Sequence, residues 1–164
     1  MNILQITHCD QVNGEGNRVV LWVAGCSHHC KGCQNAYSND PSIGVKFNES
    51  IKEELFNDLK ENWCAGITFS GGDPLFIDNR KEIIALAKEI KEKFPTKTIW
   101  LYTGYTWAEI IDDCTMSDIL KYIDILCDGV YIEELRDVDL HWVGSKNQNV
   151  IDVKRRIEQV SKLK

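Results

Sequence analysis

GCSHHCKGCQN, residues Gly25 to Asn35, places Cys26, Cys30 and Cys33 within eight residues at C-x3-C-x2-C spacing. The loop follows directly on VVLWVA, Val19 to Ala24, a continuous apolar run bounded by turn residues, as in a strand buried on both faces. Thiolates are soft ligands that suit zinc and iron–sulfur centres. Three are one short of the four-cysteine set that usually holds a 4Fe–4S cluster, so a cluster bound here keeps one iron open to a ligand from outside the protein. Two plainer readings stand beside it: structural zinc with His28 or His29 as fourth ligand, and ordinary reduced thiols. His28 and His29 otherwise read as solvated loop residues.

The composition narrows the class. With 19 Lys and Arg against 25 Asp and Glu, the 164 residues carry a net charge of −6, which leaves no basic footprint for nucleic acid. Hydrophobic residues at 43% and charged residues at 27% are ordinary for one globular domain, taken as residues 1–164. MNILQITHCD has neither the charged start nor the long apolar run of a signal peptide, and no apolar run approaches the roughly 20 residues of a membrane span. Seven cysteines, three of them clustered, argue for a reducing, cytoplasmic setting rather than a disulfide scaffold. Cys9, Cys64, Cys114 and Cys127 read as buried thiols.

Outward from the cysteine loop, the chain alternates strands and helices. Ile3, Leu4 and Ile6 predict a short edge strand, and VNGEGNR, Val12 to Arg18, a glycine-rich turn. Residues 37–47 are polar and irregular. A helix is predicted from about Glu49 to Asn62 with Asn48 as N-cap. GITFS, Gly66 to Ser70, is a strand running into Gly71-Gly72-Asp73-Pro74. Asp78 caps a second helix with the stripe Ile83, Ala87, Ile90 and Phe94. TIWLY, Thr98 to Tyr102, is the next strand, and Thr106 with Glu109 forms a capping box for a third helix. Ser117 to Tyr122 adds another turn or two, Asp124 to Cys127 a short strand, and Lys154 to Lys164 a basic amphipathic helix.

This alternation predicts an α/β fold built from βαβ units, with a mostly parallel sheet of four to six strands forming an open partial barrel. The cysteine loop, Gly71 to Pro74, Thr103 to Tyr105 and Asp128-Gly129 all follow strand ends, the edge where parallel α/β folds bind ligands. At Gly71-Gly72 the bare backbone suits edge-on pairing with a ligand carrying amino and carboxylate groups, with Asp73 opposite the ammonium; the plainer reading is a strand-to-helix turn. Asp128 reads as a substrate-side or cation-side carboxylate, or as a turn-forming Asp-Gly. Trp100, Tyr102, Tyr105 and Trp107 read as core and rim aromatics.

VNGEGNR, GCSHHCKGCQN, FSGGDPL, WLYTGY, CDGVY and HWVGSKNQ together span residues 12 to 148. The set resembles the activating proteins of anaerobic ribonucleoside-triphosphate reductase, glycyl-radical activases of the radical S-adenosylmethionine (SAM) superfamily. The resemblance implies a 4Fe–4S cluster on Cys26, Cys30 and Cys33, with the amino and carboxylate groups of SAM on the open iron. It implies Gly32, Cys33 and Gln34 against the adenosine, and Gly71, Gly72 and Asp73 at the methionine end. It further implies a 5′-deoxyadenosyl radical that takes hydrogen from a glycine of the reductase large chain, with a low-potential donor such as flavodoxin or ferredoxin. No catalytic residue is implied beyond the cluster ligands. Gly32 stands where many superfamily members carry an aromatic, Asp73 where Glu is common, and Val143 where Arg is expected. Alternatives are a pyruvate formate-lyase-type activase, a 7-carboxy-7-deazaguanine synthase-like enzyme and, in another class, a zinc-stabilised interaction module.

Overall fold

The apolar run before the cysteine loop forms β2 (Arg18–Val23), and the sheet extends from it in both directions. The structure, a computed structural model, describes residues 1–162. The other strands are β1 (Asn2–Asp10), β3 (Val45–Lys46), β4 (Gly66–Gly71), β5 (Thr98–Tyr102), β6 (Ile125–Asp128) and β7 (Asn149–Asp152). The helices are α1 (Glu49–Lys60), α2 (Arg80–Lys93), α3 (Trp107–Asp112) and α4 (Val153–Ser161). One seven-stranded sheet runs in the order β3-β1-β2-β4-β5-β6-β7.

β2, β4, β5 and β6 pair in parallel. The pairs β1–β2, β1–β3 and β6–β7 are antiparallel, so the expectation of a mostly parallel sheet holds for the centre only. The reason is the connections: a parallel neighbour needs a long crossover, whereas the turn at residues 11–17 suffices for a hairpin. β1 lies inside β3 and is not an edge strand. The sheet is open at β3 and β7, and it exceeds the four to six strands expected because these two short, half-polar strands have no run of their own to announce them.

Alternation divides the sheet into two unlike faces. Val19, Leu21 and Val23 of β2, Ile67 and Phe69 of β4, and Ile99 and Leu101 of β5 pack with Leu55 and Leu59 of α1 and Ile83, Ala87 and Ile90 of α2. The opposite face carries Arg18, Trp22, Thr68, Ser70, Trp100 and Tyr102. Asn48 caps α1 by accepting from Ile51 N, and both arms of the Thr106–Glu109 capping box form at α3. Asp78 does not cap α2. The N-cap is Asn79, and its side chain reaches back to donate to Ala24 O (2.8 Å) and Asp73 O (3.0 Å), tying α2 to the cysteine loop. Ser117–Lys121 is a 3-10 turn, and α4 begins at its Asp152 cap; Leu163 and Lys164 of the expected basic helix lie outside the described residues. Cys64 and Cys127 are buried as expected, but Cys9 and Cys114 are exposed. No helix among the described residues is long and apolar enough to cross a membrane.

Arg18 is the largest fully buried side chain, and all five of its N–H donors meet neutral oxygens. Nε donates to Thr68 Oγ1 (2.8 Å), Nη1 to Glu15 O (3.0 Å) and Thr98 Oγ1 (2.9 Å), and Nη2 to Ile67 O (2.7 Å) and Thr98 O (2.9 Å). The guanidinium lies 5.4 Å from the Trp100 ring centroid. Burial lowers its pKa to about 10, so the group stays charged at neutral pH.

At the surface, β1 is fastened to α1 through His8, whose Nδ1 lies 2.5 Å from Asp58 and whose Nε2 lies 3.2 Å from Glu54. The hydrogen bond to Asp58 raises the His8 pKa above 6.5. A raised folded-state pKa stabilises fully below the unfolded value and is lost as pH rises through the folded one. The destabilisation caused by His8→Ala is therefore expected to be larger at pH 6 than at pH 9, by under about 1 kcal/mol because the ring is half exposed. Urea midpoints at the two pH values check this, and equal differences would refute it.

Candidate metal centre

The three cysteines lie on the loop between β2 and the 3-10 turn Ala36–Asn39. Its base is closed by Gly25 N donating to Ser38 O (2.8 Å) and Cys26 N to Asn39 O (3.2 Å). The turn after β4 docks on the same base, with Gly72 N donating to Val23 O (2.7 Å) and Asp73 N to Gly25 O (2.8 Å). A Cβ at Gly72 would lie 2.5 Å from Gly25 O and 2.9 Å from Ser38 O, so this contact of two backbones itself demands glycine. Burial pushes the Cys26 thiol up to about 11, against the pull of the backbone N–H groups of His28 and His29. A metal must therefore displace a proton there. All three cysteines are free and half-buried, a soft sulfur donor set that fits an iron–sulfur cluster. Among the described residues, no group of three His, Cys, Asp or Glu side chains is arranged to hold a single metal ion.

His28 is not the solvated loop residue its neighbours suggest. Its Nε2 donates to Asp73 Oδ2 at 2.8 Å, its ring meets Tyr105 edge-on at 4.6 Å, and its side chain is 15% exposed. Asp73 raises its pKa above 6.5. The Asp73 carboxylate is buried and also accepts from Thr103 Oγ1 (2.9 Å to each oxygen), Gly104 N (3.0 Å) and Leu75 N (2.7 Å). One carboxylate thus joins the loops that follow β2, β4 and β5. Asp128 does the same one strand further on, accepting from Trp107 N at the start of α3 (2.8 Å) and from Asn149 Nδ2 (2.8 Å). These contacts make Asp128 an internal tie, a role that neither the ligand-side nor the Asp-Gly turn reading gave it.

An open cleft of about 560 Å3 lies on the polar face of the sheet. Cys33, Gln34 and Gly71 line it, with Asn13, Trp22, Ser70 and Tyr102. Leu140, Trp142, Val143, Gly144 and Gln148 form its roof. Gln148 Oε1 accepts from Gly144 N (3.0 Å) and Ser145 N (3.1 Å) and so shapes the roof segment. Trp142 has a left-handed backbone (φ 64) and packs edge-on against Trp100 at 4.9 Å. Cys26, Cys30, Gly32, Gly72 and Asp73 do not line the cleft. Gly32 is left-handed (φ 72), and a Cβ there would lie 2.7 Å from Glu133 Oε1, a carboxylate that also pairs with Lys31 at 3.0 Å. Sequence reasoning missed Trp22, Ser70 and Trp142; the period-2 alternation in β2 and β4, where Trp22 pairs with Ser70, was the available signal for the first two.

Residues 12–151 match the family described as 4Fe-4S single cluster domain, a span holding the three cysteines, the Gly71-Gly72 turn and the roof segment. Loop and family together define the class as a single-cluster iron–sulfur protein. The anaerobic ribonucleoside-triphosphate reductase-activating protein of Haemophilus influenzae is 43% identical over 150 residues, covering 90% of this chain and 96% of that one. Its namesakes in Enterobacteria phage T4 (42% identical; 92% and 93% covered) and Escherichia coli K12 (37% identical; 92% and 97% covered) are similar throughout. The chain belongs to the family of anaerobic ribonucleoside-triphosphate reductase-activating proteins.

Proposed function

We propose that this chain activates an anaerobic ribonucleoside-triphosphate reductase in the cytoplasm by radical SAM chemistry, receiving its electron from a low-potential donor such as flavodoxin or ferredoxin. Cys26, Cys30 and Cys33 would hold the 4Fe–4S cluster, with SAM as its outside ligand. Bound there, the two cofactors would supply one-electron reductive cleavage of SAM and, from it, the radical chemistry that removes a hydrogen atom from a glycine of the reductase.

The chain's own residues bind, orient and shield. Cys33 and Gln34 meet the adenosine and Gly71 the methionine end, while Gly32 and Gly72, which do not line the cleft, allow the close packing that holds the two loops in place. Asp73 supports that end from behind, because its oxygens are already engaged by Thr103, Gly104, Leu75 and His28. Trp22 and Trp142 keep water from the reacting carbon, and the polar sheet face acts as the concave wall of a partial barrel whose open side admits the glycine-bearing segment. The observation that carries this reading is the single cleft in which Cys33, Gly71 and the 140–148 roof meet. The zinc module has less support, since residues 12–151 match a 4Fe-4S single cluster family rather than a zinc one.

Anaerobic mixing of the reduced protein with SAM and the cognate reductase is expected to give a glycyl radical by electron paramagnetic resonance, with one 5′-deoxyadenosine per radical. Intact SAM and no radical would overturn the proposal.

A further inference from the structure

Trp142 sits in the roof of the cleft on a left-handed backbone (φ 64), a conformation that glycine or asparagine takes at little cost and a bulky side chain does not. Residues kept in such conformations cluster at ligand clamps, where their surroundings over-determine them. The surroundings here do so. The Trp142 ring meets the Trp100 ring edge-to-face at 4.9 Å, Trp100 is buried, and the Arg18 guanidinium lies 5.4 Å from the Trp100 centroid. Beyond Trp142, Gly144 N and Ser145 N donate to Gln148 Oε1, while Gln148 Nε2 donates to Gly129 O at 2.9 Å. So seated, Trp142 is still 36% exposed. The other aromatic side chains of the cleft are committed elsewhere. Trp22 and Tyr102 belong to the sheet floor, where Trp22 Nε1 donates to Thr7 Oγ1 at 2.9 Å. Tyr131 packs on Gly144, where a Cβ would lie 3.1 Å from its ring.

We propose that Trp142 is the residue on which the purine ring of SAM stacks, in the cleft that it shares with Cys33 and Gln34. The inference rests on the SAM part of the proposed function and goes beyond it, since that reading gives Trp142 only the exclusion of water. The cleft, at about 560 Å3, is of the size that cofactor sites have. An aromatic plane holds a base by its face, whatever hydrogen bonds the base edge makes. A plain lid needs only apolar bulk on a relaxed backbone, whereas a rigidly seated indole suits a flat partner.

The test is binding rather than turnover, on the full chain with its cluster reconstituted anaerobically, in wild type and in Trp142→Asn and Trp142→Phe forms. Asparagine tolerates the left-handed backbone and removes the ring; phenylalanine keeps a ring. Equilibrium dialysis with labelled SAM is expected to show an affinity about tenfold weaker in Trp142→Asn and within about threefold of wild type in Trp142→Phe. Displacement of SAM by methionine, which has no purine, is expected to give the same methionine affinity in all three forms. SAM affinity unchanged in Trp142→Asn overturns the inference, as does a Trp142→Phe form as weak as Trp142→Asn. A methionine affinity that falls in step with that for SAM also overturns it, because the roof has then collapsed as a whole. Should Trp142→Asn take up no iron, Trp142→Leu, which keeps apolar bulk without a ring, is read by the same criteria, and its failure to load overturns the inference. Wild-type protein that carries its cluster and binds no SAM overturns the SAM reading and the inference together, whereas the other failures leave that reading standing.

Discussion

Alanine at Cys30 is expected to leave a folded, colourless protein. The side chain lies on the loop, outside the apolar core, and the bonds that close the loop base run through Gly25, Cys26, Ser38, Asn39 and Asp73. None uses the Cys30 sulfur. Two remaining thiolates are one short of the set that leaves a single iron corner open. Iron content and visible absorbance should therefore fall at least about tenfold and SAM cleavage should vanish. Apo-protein stability should stay within about 0.5 kcal/mol of wild type, as for substitutions away from core and caps. Iron and sulfide analysis beside thermal unfolding of the apo forms checks this. A variant that keeps its iron would show that the donor set is wrong. One that unfolds would show a loop that depends on Cys30 for structure, as a zinc module does.

The second large effect is expected at Arg18. Replacement by methionine fills similar volume and removes the cost of burying a cation, but it leaves Ile67 O and Thr68 Oγ1 without their buried donor and frees three part-buried acceptors on Glu15 and Thr98. Each buried acceptor left unpaired costs about 1–3 kcal/mol, so a net loss on the order of 2–3 kcal/mol is expected. That is a large part of the 5–15 kcal/mol that holds a typical domain together. The urea midpoint at neutral pH measures it; a loss below about 1 kcal/mol would mean that water reaches the acceptors. Arg18 also supports Trp100, and Trp100 supports Trp142 in the cleft roof, so SAM affinity should weaken in the same variant.

Local signals explain which features could be read from the chain alone. The Thr98–Tyr102 strand, the Asn48 cap and the Thr106–Glu109 capping box depend on residues a few positions apart, and they form as expected. β3 and β7 are two and four residues long and owe their existence to neighbours far away in sequence, so no periodicity marks them. Asp78 and Asn79 are both good caps by type, but Asn79 takes the N-cap position without a side-chain cap bond and gives its amide to Ala24 O and Asp73 O, contacts far away in sequence or across a turn. The cysteine spacing is legible because three ligands of one centre must lie close together. His28 and Asp73 are not, because their partnership spans 45 residues and depends on the sheet bringing two strand ends side by side. Gly71 and Gly72 could be singled out by type, but the backbone contacts that require glycine at 72 appear only once the two loops are docked.

The buried Asp73 has one more consequence. Its partners lie on all three strand-end loops, so this one carboxylate couples them: a disturbance at the end of β5 is transmitted to the cysteine loop through His28 without passing through the hydrophobic core.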